Sequence, residues 1–116
     1  DFIFAAAVLH MLTEDRDRDA FFRFLRRHLR PGGLALVLSM GDGAREFRSD
    51  PARAFEAAER THQGSGQRVA VASTSCRMVR SAALRGEAER NGLTVLEEGR
   101  TSIPDEFDQM IYVLLK

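Results

Sequence analysis

Residues 20–40, AFFRFLRRHLRPGGLALVLSM, decide the fold of this chain. The first ten combine apolar and basic side chains at helical spacing, which predicts an amphipathic helix. Pro31, Gly32 and Gly33 then end that helix, because proline lacks the backbone N–H and glycine readily adopts the left-handed conformation that follows a helix. Residues 34–40 form an apolar run typical of a buried strand. The stretch therefore predicts the helix and second strand of a strand–helix–strand unit.

The first strand of that unit is predicted at residues 2–9 (FIFAAAVL), which are apolar on both faces. The acidic stretch 13–19 (TEDRDRD) leads into the helix, and basic residues cluster at its end, so the charges complement the helix dipole. Such crossovers are right-handed and join parallel strands, so the two strands are expected to be parallel neighbours.

The helix is predicted to bury one apolar stripe. Four side chains recur at three- and four-residue spacing and share one face: Phe21, Phe24, Leu25 and Leu29. Phe22 falls off that main stripe. The three phenylalanines are interpreted as core or as a surface that faces a partner.

The middle of the chain is predicted to hold a weak helix and a loop. Asp50 and Pro51 resemble a helix N-cap followed by proline at the first helical position, so a helix is expected to about residue 60. Residues 62–68 (HQGSGQR) are expected to be the most flexible stretch. Residues 73–75 (STS) predict the N-cap of a second helix.

The second helix is expected to run to about residue 90, where Asn91-Gly92 ends it. Gly86 inside it indicates close packing, because glycine costs a helix about 1 kcal/mol relative to alanine. Residues 93–96 and 107–115 are predicted as consecutive strands that pair as an antiparallel hairpin. The predicted fold class is α/β: a Rossmann-like partial sheet of parallel strands with helices and a C-terminal antiparallel hairpin.

Composition excludes several functions. Seventeen basic and seventeen acidic side chains give zero net charge, so no overall attraction to nucleic acid or an anionic membrane is expected. One cysteine, Cys76, excludes an internal disulfide, and the three histidines lack metal-ligand spacing, so no metal site is predicted. The longest apolar run is far shorter than the roughly 20 residues of a membrane helix. No basic segment precedes it, so it is not a signal peptide, and a cytoplasmic location is expected.

Three motifs, in order, resemble class I S-adenosylmethionine-dependent methyltransferases. Residues 1–12 (DFIFAAAVLHML) resemble the fourth strand and following loop of that family. Residues 25–34 (LRRHLRPGGL) look like its helix end and turn into the fifth strand, and residues 89–95 (ERNGLTV) look like its approach to the terminal hairpin. The similarity covers the whole chain but only the second half of the family's fold.

The resemblance implies that residues 1–116 are the C-terminal half of a methyltransferase domain, with residues 41–68 as a substrate-side insertion. It implies S-adenosylmethionine as cofactor and methyl transfer to a small-molecule acceptor by the full domain. The family's glycine-rich loop and its ribose-binding acidic residue are absent from this sequence. Recognition of the nucleotide part of the cofactor is therefore not expected within these residues.

Ligands of open α/β sheets bind beyond the carboxyl ends of the strands. By resemblance, Ala6, Ala7 and Val8 would line the methionine end of the cofactor, where small side chains let the backbone approach closely. His10 would lie beside the transferring methyl. It acts there as a general base, or it is a packing histidine that donates to a carbonyl.

Four residues are predicted to bind the substrate: Met11, Met40, Asp42 and Arg45. Asp42 could hold an amine or orient a hydroxyl, although the glycines on either side also suit a plain tight turn. Arg45 could hold an anionic group or lie in a solvated loop.

The strand at residues 2–9 is expected to lack a neighbour on one side. The chain opens on this apolar run with no polar lead-in, which looks like a cut through a larger domain. An apolar edge strand exposes unpaired backbone groups and favours association. Its partner is either the missing N-terminal half or a second copy of the chain. A non-enzymatic Rossmann-like module that associates through this edge is the alternative function. A methyltransferase for RNA or protein is a further one, which the neutral charge disfavours.

Overall fold

The structure is a computed structural model that describes residues 1–102 and 109–116. Its elements, in chain order, are β1 (Phe2–Ala6), α1 (Asp15–His28), β2 (Leu34–Met40), β3 (Phe47–Arg48), β4 (Ala57–Thr61), β5 (Arg68–Ala72), β6 (Arg77–Met78), α2 (Ser81–Arg90), β7 (Val95–Thr101) and β8 (Met110–Leu115). Two single turns of 3-10 helix lie at Leu9–Met11 and Pro51–Arg53. In this part of the chain, neither α-helix has the length and apolar character needed to cross a membrane.

The main sheet has the strand order β1-β2-β8-β7. β1 and β2 are parallel, which confirms the strand–helix–strand unit, and β2 occupies the predicted residues 34–40. β8 lies between β2 and β7 and is antiparallel to both, which confirms the C-terminal hairpin. The hairpin strands begin later than predicted, at Val95 and Met110, and residues 107 and 108 lie outside the described residues. The α/β fold class is confirmed.

The hydrophobic core lies between the main sheet and the two helices. Alternate residues of the central strands, such as Val37 and Val113, are buried on this face. Phe22 of α1 and Leu84 of α2 pack into the same cluster. Both helices therefore cover one face of the sheet.

The opposite face of the sheet is open in the described residues. Phe2 and Phe4 are each 58% exposed. In the paired register, Phe4 lies beside Leu36 and Leu36 beside Leu114, so an apolar row crosses three strands. Residues 2–9 were expected to be a strand buried on both faces; instead β1 ends at Ala6 and exposes one face and one edge.

The buried stripe of α1 differs from the predicted one. Phe22, predicted to fall off the stripe, is fully buried, whereas Phe24 is 53% exposed. The buried positions of the helix are Arg18, Phe22 and Leu25, which follow each other at four and three residues. The other three members of the predicted stripe do lie in or against the core. The prediction failed at Phe22 and Phe24, because it began the helix at residue 20 and so left Arg18 out of the inner face.

The segment between β2 and α2 is extended rather than helical. The predicted helix at residues 50–60 is wrong beyond its first turn: Asp50 does cap the 3-10 turn, accepting from the Ala52 N–H, but β4 follows. Residues 62–68 form the turn joining β4 to β5 and the first residue of β5. Residues 73–75 do not cap a helix, because α2 begins only at Ser81.

The turn between α1 and β2 requires glycine at both Gly32 and Gly33. Gly32 has φ +80°, a left-handed conformation that glycine adopts without strain. A Cβ on Gly33 would lie 3.0 Å from the Arg30 carbonyl oxygen and 3.3 Å from that of Asp1. The second glycine thus lets the chain pass closely beneath the start of β1.

Gly86 does not mark close packing, contrary to the sequence prediction. Apart from its chain neighbours and the backbone of its own helix, no atom lies within 4 Å of a Cβ built on it. Gly86 sits inside α2 without a positive φ. Gly86→Ala is therefore expected to raise the free energy of unfolding by about 1 kcal/mol, because alanine loses less backbone entropy in a helix. Chemical denaturation monitored by circular dichroism measures the change.

The matched control for this substitution is Gly92→Ala. Gly92 has φ +79°, and its Cβ would lie 2.6 Å from Nη1 of Arg26. This variant is expected to lose stability, since alanine is strained at that φ and displaces the arginine. A loss of stability in both variants would contradict the open environment described for Gly86.

Candidate functional site

The ends of β1 and β2 meet at one edge of the sheet. Ala6 lies opposite Leu38, and the Ala7 N–H donates to the Leu38 carbonyl over 3.1 Å. The chain then turns sharply into the 3-10 turn Leu9–Met11. The segment predicted to hold the cofactor therefore lies at the carboxyl ends of parallel strands.

Ala7 has a left-handed backbone with φ +56°. Few residues other than glycine adopt this conformation, and such strain concentrates at functional sites. The side chain of Ala7 is exposed, as is that of Val8. The sharp reversal thus presents small side chains at the end of β1.

His10 lies on the 3-10 turn and is half-buried. Its Nδ1 atom is buried without a hydrogen-bond partner. Burial, and then the positive charge of Arg18, lower the pKa of His10 below the ordinary 6.5. The imidazole is therefore neutral at neutral pH and able to accept a proton.

A buried arginine lies behind this turn. Arg18 Nε and Nη2 donate to the two carboxylate oxygens of Glu87 over 2.9 and 2.7 Å. Arg18 Nη1 donates to the carbonyls of Leu9 and Leu12 over 2.9 and 3.2 Å. Arg18 is fully buried and Glu87 nearly so. One guanidinium thus joins α1, α2 and the turn that carries His10.

Asp42 and Arg45 lie together in the loop after β2. One oxygen of Asp42 accepts from the backbone N–H groups of Ala44 and Arg45, each over 2.9 Å. The other accepts from Nε of Arg45 over 2.7 Å. The two backbone hydrogen bonds, and then the Arg45 side chain, hold the pKa of Asp42 well below its usual range. The carboxylate therefore stays ionised and organises its own loop.

A cleft of about 490 Å³ opens beside this loop. Seven residues line it: Gly41, Asp42, Arg45, Glu46, Phe47, Met78 and Gln109. The structure thus brings two of the predicted substrate residues together in one cleft. Met40 precedes it at the end of β2, while Met11 is exposed on the turn after β1, and neither lines the cleft.

Sequence reasoning missed the arginine–glutamate pair and three of the cleft residues. Phe47, Met78 and Gln109 come from three separate segments, which no local motif connects. Arg18 could have been found from its spacing, because it shares the inner helical face with Phe22 and Leu25. Burial raises the pKa of the Cys76 thiol, which disfavours the reactive thiolate form.

No protein-family model matches the sequence, and no curated protein matches it either. Solved structures do match the fold. The chain aligns over 100% of its length with an S-adenosylmethionine-dependent methyltransferase from Clostridium acetobutylicum, at 16% identity and a TM-score of 0.64. Over its whole length, the chain therefore shares the fold of the matching part of this methyltransferase.

Two further structures agree. The 1,6-didemethyltoxoflavin-N1-methyltransferase of Burkholderia thailandensis, bound to 1,6-didemethyltoxoflavin and S-adenosylhomocysteine, aligns over 99% of this chain at 12% identity, TM-score 0.69. The CcbJ methyltransferase of Streptomyces caelestis aligns over 99% at 18% identity, TM-score 0.68. This chain spans only part of each similar protein: 57% of the Clostridium acetobutylicum, 42% of the Burkholderia thailandensis and 59% of the Streptomyces caelestis methyltransferase.

Proposed function

We propose that this chain is the C-terminal half of a methyltransferase domain that transfers a methyl group from S-adenosylmethionine to a small molecule. The observation that carries the proposal is that the chain, over its whole length, shares its fold with proteins that are methyltransferases. The geometry at the ends of β1 and β2 supports it, because ligands of such sheets bind there.

The residues at the end of β1 fit the methionine part of the cofactor. Ala6, Ala7 and Val8 are small or short, and Ala7 and Val8 are exposed at the sharp turn of the backbone after β1. No charged side chain is needed beside the reacting centre. S-adenosylmethionine, when bound, supplies an electrophilic methyl group on a sulfonium. The adenosine part requires residues from outside this chain, because the sequence lacks the glycine-rich loop.

His10 is proposed as the general base. Its lowered pKa keeps the imidazole unprotonated at neutral pH, so the ring can take a proton from a hydroxyl or amine acceptor. The Nδ1 atom makes no hydrogen bond to the protein, so no partner at this nitrogen fixes which ring nitrogen carries the proton. Most of the remaining catalysis comes from orientation and exclusion of water, which can contribute about 7–11 kcal/mol in well-oriented systems.

The acceptor is proposed to lie between the turn after β1 and the cleft after β2. Met11 and Met40 would supply apolar contacts, and Asp42 and Arg45 would form the polar wall. Because Asp42 already accepts three hydrogen bonds, its role is to fix the loop and to hold Arg45 in place. A small acceptor is favoured by the cleft volume of about 490 Å³ and by the 1,6-didemethyltoxoflavin bound in one of the similar structures.

The open face and edge of β1 are proposed to pair with the N-terminal half of the same domain. Phe2 and Phe4 are more than half exposed, and β1 has a strand neighbour on one side only in the described residues. Exposed apolar edges of this kind are rare because they aggregate. The similar proteins are about twice as long as this chain, which leaves enough residues to cover both surfaces.

Calorimetric titration of S-adenosylhomocysteine tests the proposal. The natural protein that contains these residues is expected to bind it, and the 116-residue chain alone is expected not to. Circular dichroism of the short chain checks that it is folded. Absence of binding by the natural protein would refute the methyltransferase proposal, and tight binding by the short chain would refute the division of the domain.

The second candidate is a non-enzymatic module that dimerises through β1. The apolar edge and the exposed phenylalanines favour it, since two copies could join their sheets. Analytical ultracentrifugation of the natural protein distinguishes the two candidates. A dimer that Phe4→Glu dissociates, without binding of S-adenosylhomocysteine, would support the module.

A further inference from the structure

The turn that carries His10 is anchored in the core by Leu9 but has few hydrogen bonds of its own. Met11 donates to the Val8 carbonyl and Leu12 to the Leu9 carbonyl, each over about 3 Å, and these bonds make a single turn. Isolated turns of this size are unstable in water, because one or two hydrogen bonds do not offset the entropy lost when the backbone is ordered. The His10 ring makes no hydrogen bond at Nδ1 that could anchor it instead.

Arg18 adds two side-chain hydrogen bonds to the backbone of this turn. Its Nη1 binds the carbonyls of Leu9 and Leu12, which begin and follow the turn. Glu87 holds the other side of the guanidinium with both oxygens. Asn91 continues the network, because its Nδ2 donates to the Glu87 carbonyl over 2.9 Å. The turn is thereby tied to the ends of both helices.

We propose that Arg18 is a positioning residue of this site: its buried guanidinium, fixed by Glu87, sets the place of the turn that presents His10. The inference rests on the function proposed above, since it assigns a role to the residue behind the predicted base. It names a residue that contacts neither cofactor nor acceptor and acts through the backbone of the turn.

The chemistry of arginine fits this role and that of lysine does not. The planar guanidinium of Arg18 donates four hydrogen bonds. Two go to the Glu87 carboxylate and two go to backbone carbonyls. A lysine ammonium has three donors and no fork, so it cannot bind Glu87 with two parallel hydrogen bonds and still reach both carbonyls.

A purely structural role, joining α1 to α2, is already filled elsewhere. Arg90 of α2 donates to Asp19 of α1 over 3.0 Å through Nε, and Asn91 donates to the same oxygen over 2.8 Å. That pair links the same two helices without touching the turn. It therefore provides a matched control.

The charged groups around the turn come from three elements. Arg18 faces it from α1, and Glu87 faces Arg18 from α2. Arg77 approaches from β6, where its Nη1 donates to the Thr13 carbonyl over 2.8 Å and to Asp15. Of these groups, Arg18 is the one whose charge lowers the pKa of His10.

The test uses the natural protein with Arg18→Met and Glu87→Met combined. Replacing both partners of a buried pair by apolar residues leaves no isolated charge, so the fold is expected to survive. Amide hydrogen exchange at Met11 and Leu12 is expected to become about tenfold faster or more, because two charge-assisted hydrogen bonds are lost. The His10 ring resonance, assigned by its disappearance in His10→Gln, is expected to move, and its pKa to rise.

Arg90→Met is the control and is expected to leave both signals unchanged. A folded double variant with wild-type exchange at the turn and an unmoved His10 resonance would overturn the inference. If the double variant does not fold, the inference is tested on the wild-type protein. Nuclear Overhauser effects are then expected between the Arg18 Nη1 protons and the α-protons of Leu9 and Leu12. Their absence would overturn the inference. Binding of S-adenosylhomocysteine is measured separately, so failure of the proposed function remains distinguishable.

Discussion

Glu87→Gln is expected to lower the free energy of unfolding by about 3–5 kcal/mol, because it leaves the buried charge of Arg18 uncompensated. Glu87 accepts two of the four hydrogen bonds that Arg18 donates, and both side chains are almost inaccessible to water. A glutamine can accept one of these bonds, but its amide nitrogen would face the second guanidinium nitrogen. Urea denaturation of the natural protein gives the change.

Glu89→Gln is the matched control on the same helix. Its carboxylate lies 3.7 Å from the Arg85 guanidinium, and both side chains are about half exposed. Exposed pairs of this kind contribute about 0–1 kcal/mol, so this variant is expected to remain close to wild type. Equal stability losses in the two variants would show that the Arg18–Glu87 pair is not buried in solution as described.

The strand–helix–strand unit could be predicted because its signals are local. The turn at Pro31, Gly32 and Gly33 and the apolar run after it fix the boundaries of β2 to the residue. The C-terminal hairpin could be predicted for the same reason, since Asn91-Gly92 ends α2 and two apolar runs follow. Signals of this kind act within a few residues and do not depend on the rest of the fold.

The segment between β2 and α2 could not be predicted, because its conformation depends on contacts distant in sequence. Cys76 N–H donates to the hydroxyl of Ser49, and Ser49 N–H donates to the carbonyl of Cys76. Phe55 N–H likewise donates to the carbonyl of Ser73. These hydrogen bonds occupy backbone groups that a helix would use for its own hydrogen bonds. Residues 73–75 therefore do not cap a helix, although their side chains are of the capping type.

The candidate site was predicted in part for a related reason. The end of β2 is marked by local sequence, so the loop holding Asp42 and Arg45 follows from it. The end of β1 is not, because the apolar run continues three residues past Ala6. What holds those loops is not local. Arg18 and Glu87 are sixty-nine residues apart in sequence, and each belongs to a residue class that is usually exposed. Their burial is seen only once the two helices are packed.

His10→Gln is expected to reduce kcat about 10²–10⁴-fold, the usual contribution of a general base, with S-adenosylhomocysteine affinity unchanged. Glutamine keeps the approximate size and polarity of the side chain but cannot take a proton. The assay follows conversion of S-adenosylmethionine to S-adenosylhomocysteine by the natural protein, with a panel of small hydroxyl- and amine-bearing acceptors. His28→Gln is the control, because His28 is exposed near the end of α1 and hydrogen-bonds the Phe24 carbonyl instead.

The pH profile separates a base from a packing residue at this position. A general base must be unprotonated, so the rate falls as pH drops through its pKa. Burial and the charge of Arg18 lower the pKa of His10, so the acid limb of kcat is expected to have its midpoint below 6.5, and His10→Gln is expected to remove that limb. Arg18→Met with Glu87→Met is expected to move the midpoint upward, because the repulsive charge is gone. A wild-type rate in His10→Gln, or an acid limb that survives in it, would leave His10 as a packing residue and require another base.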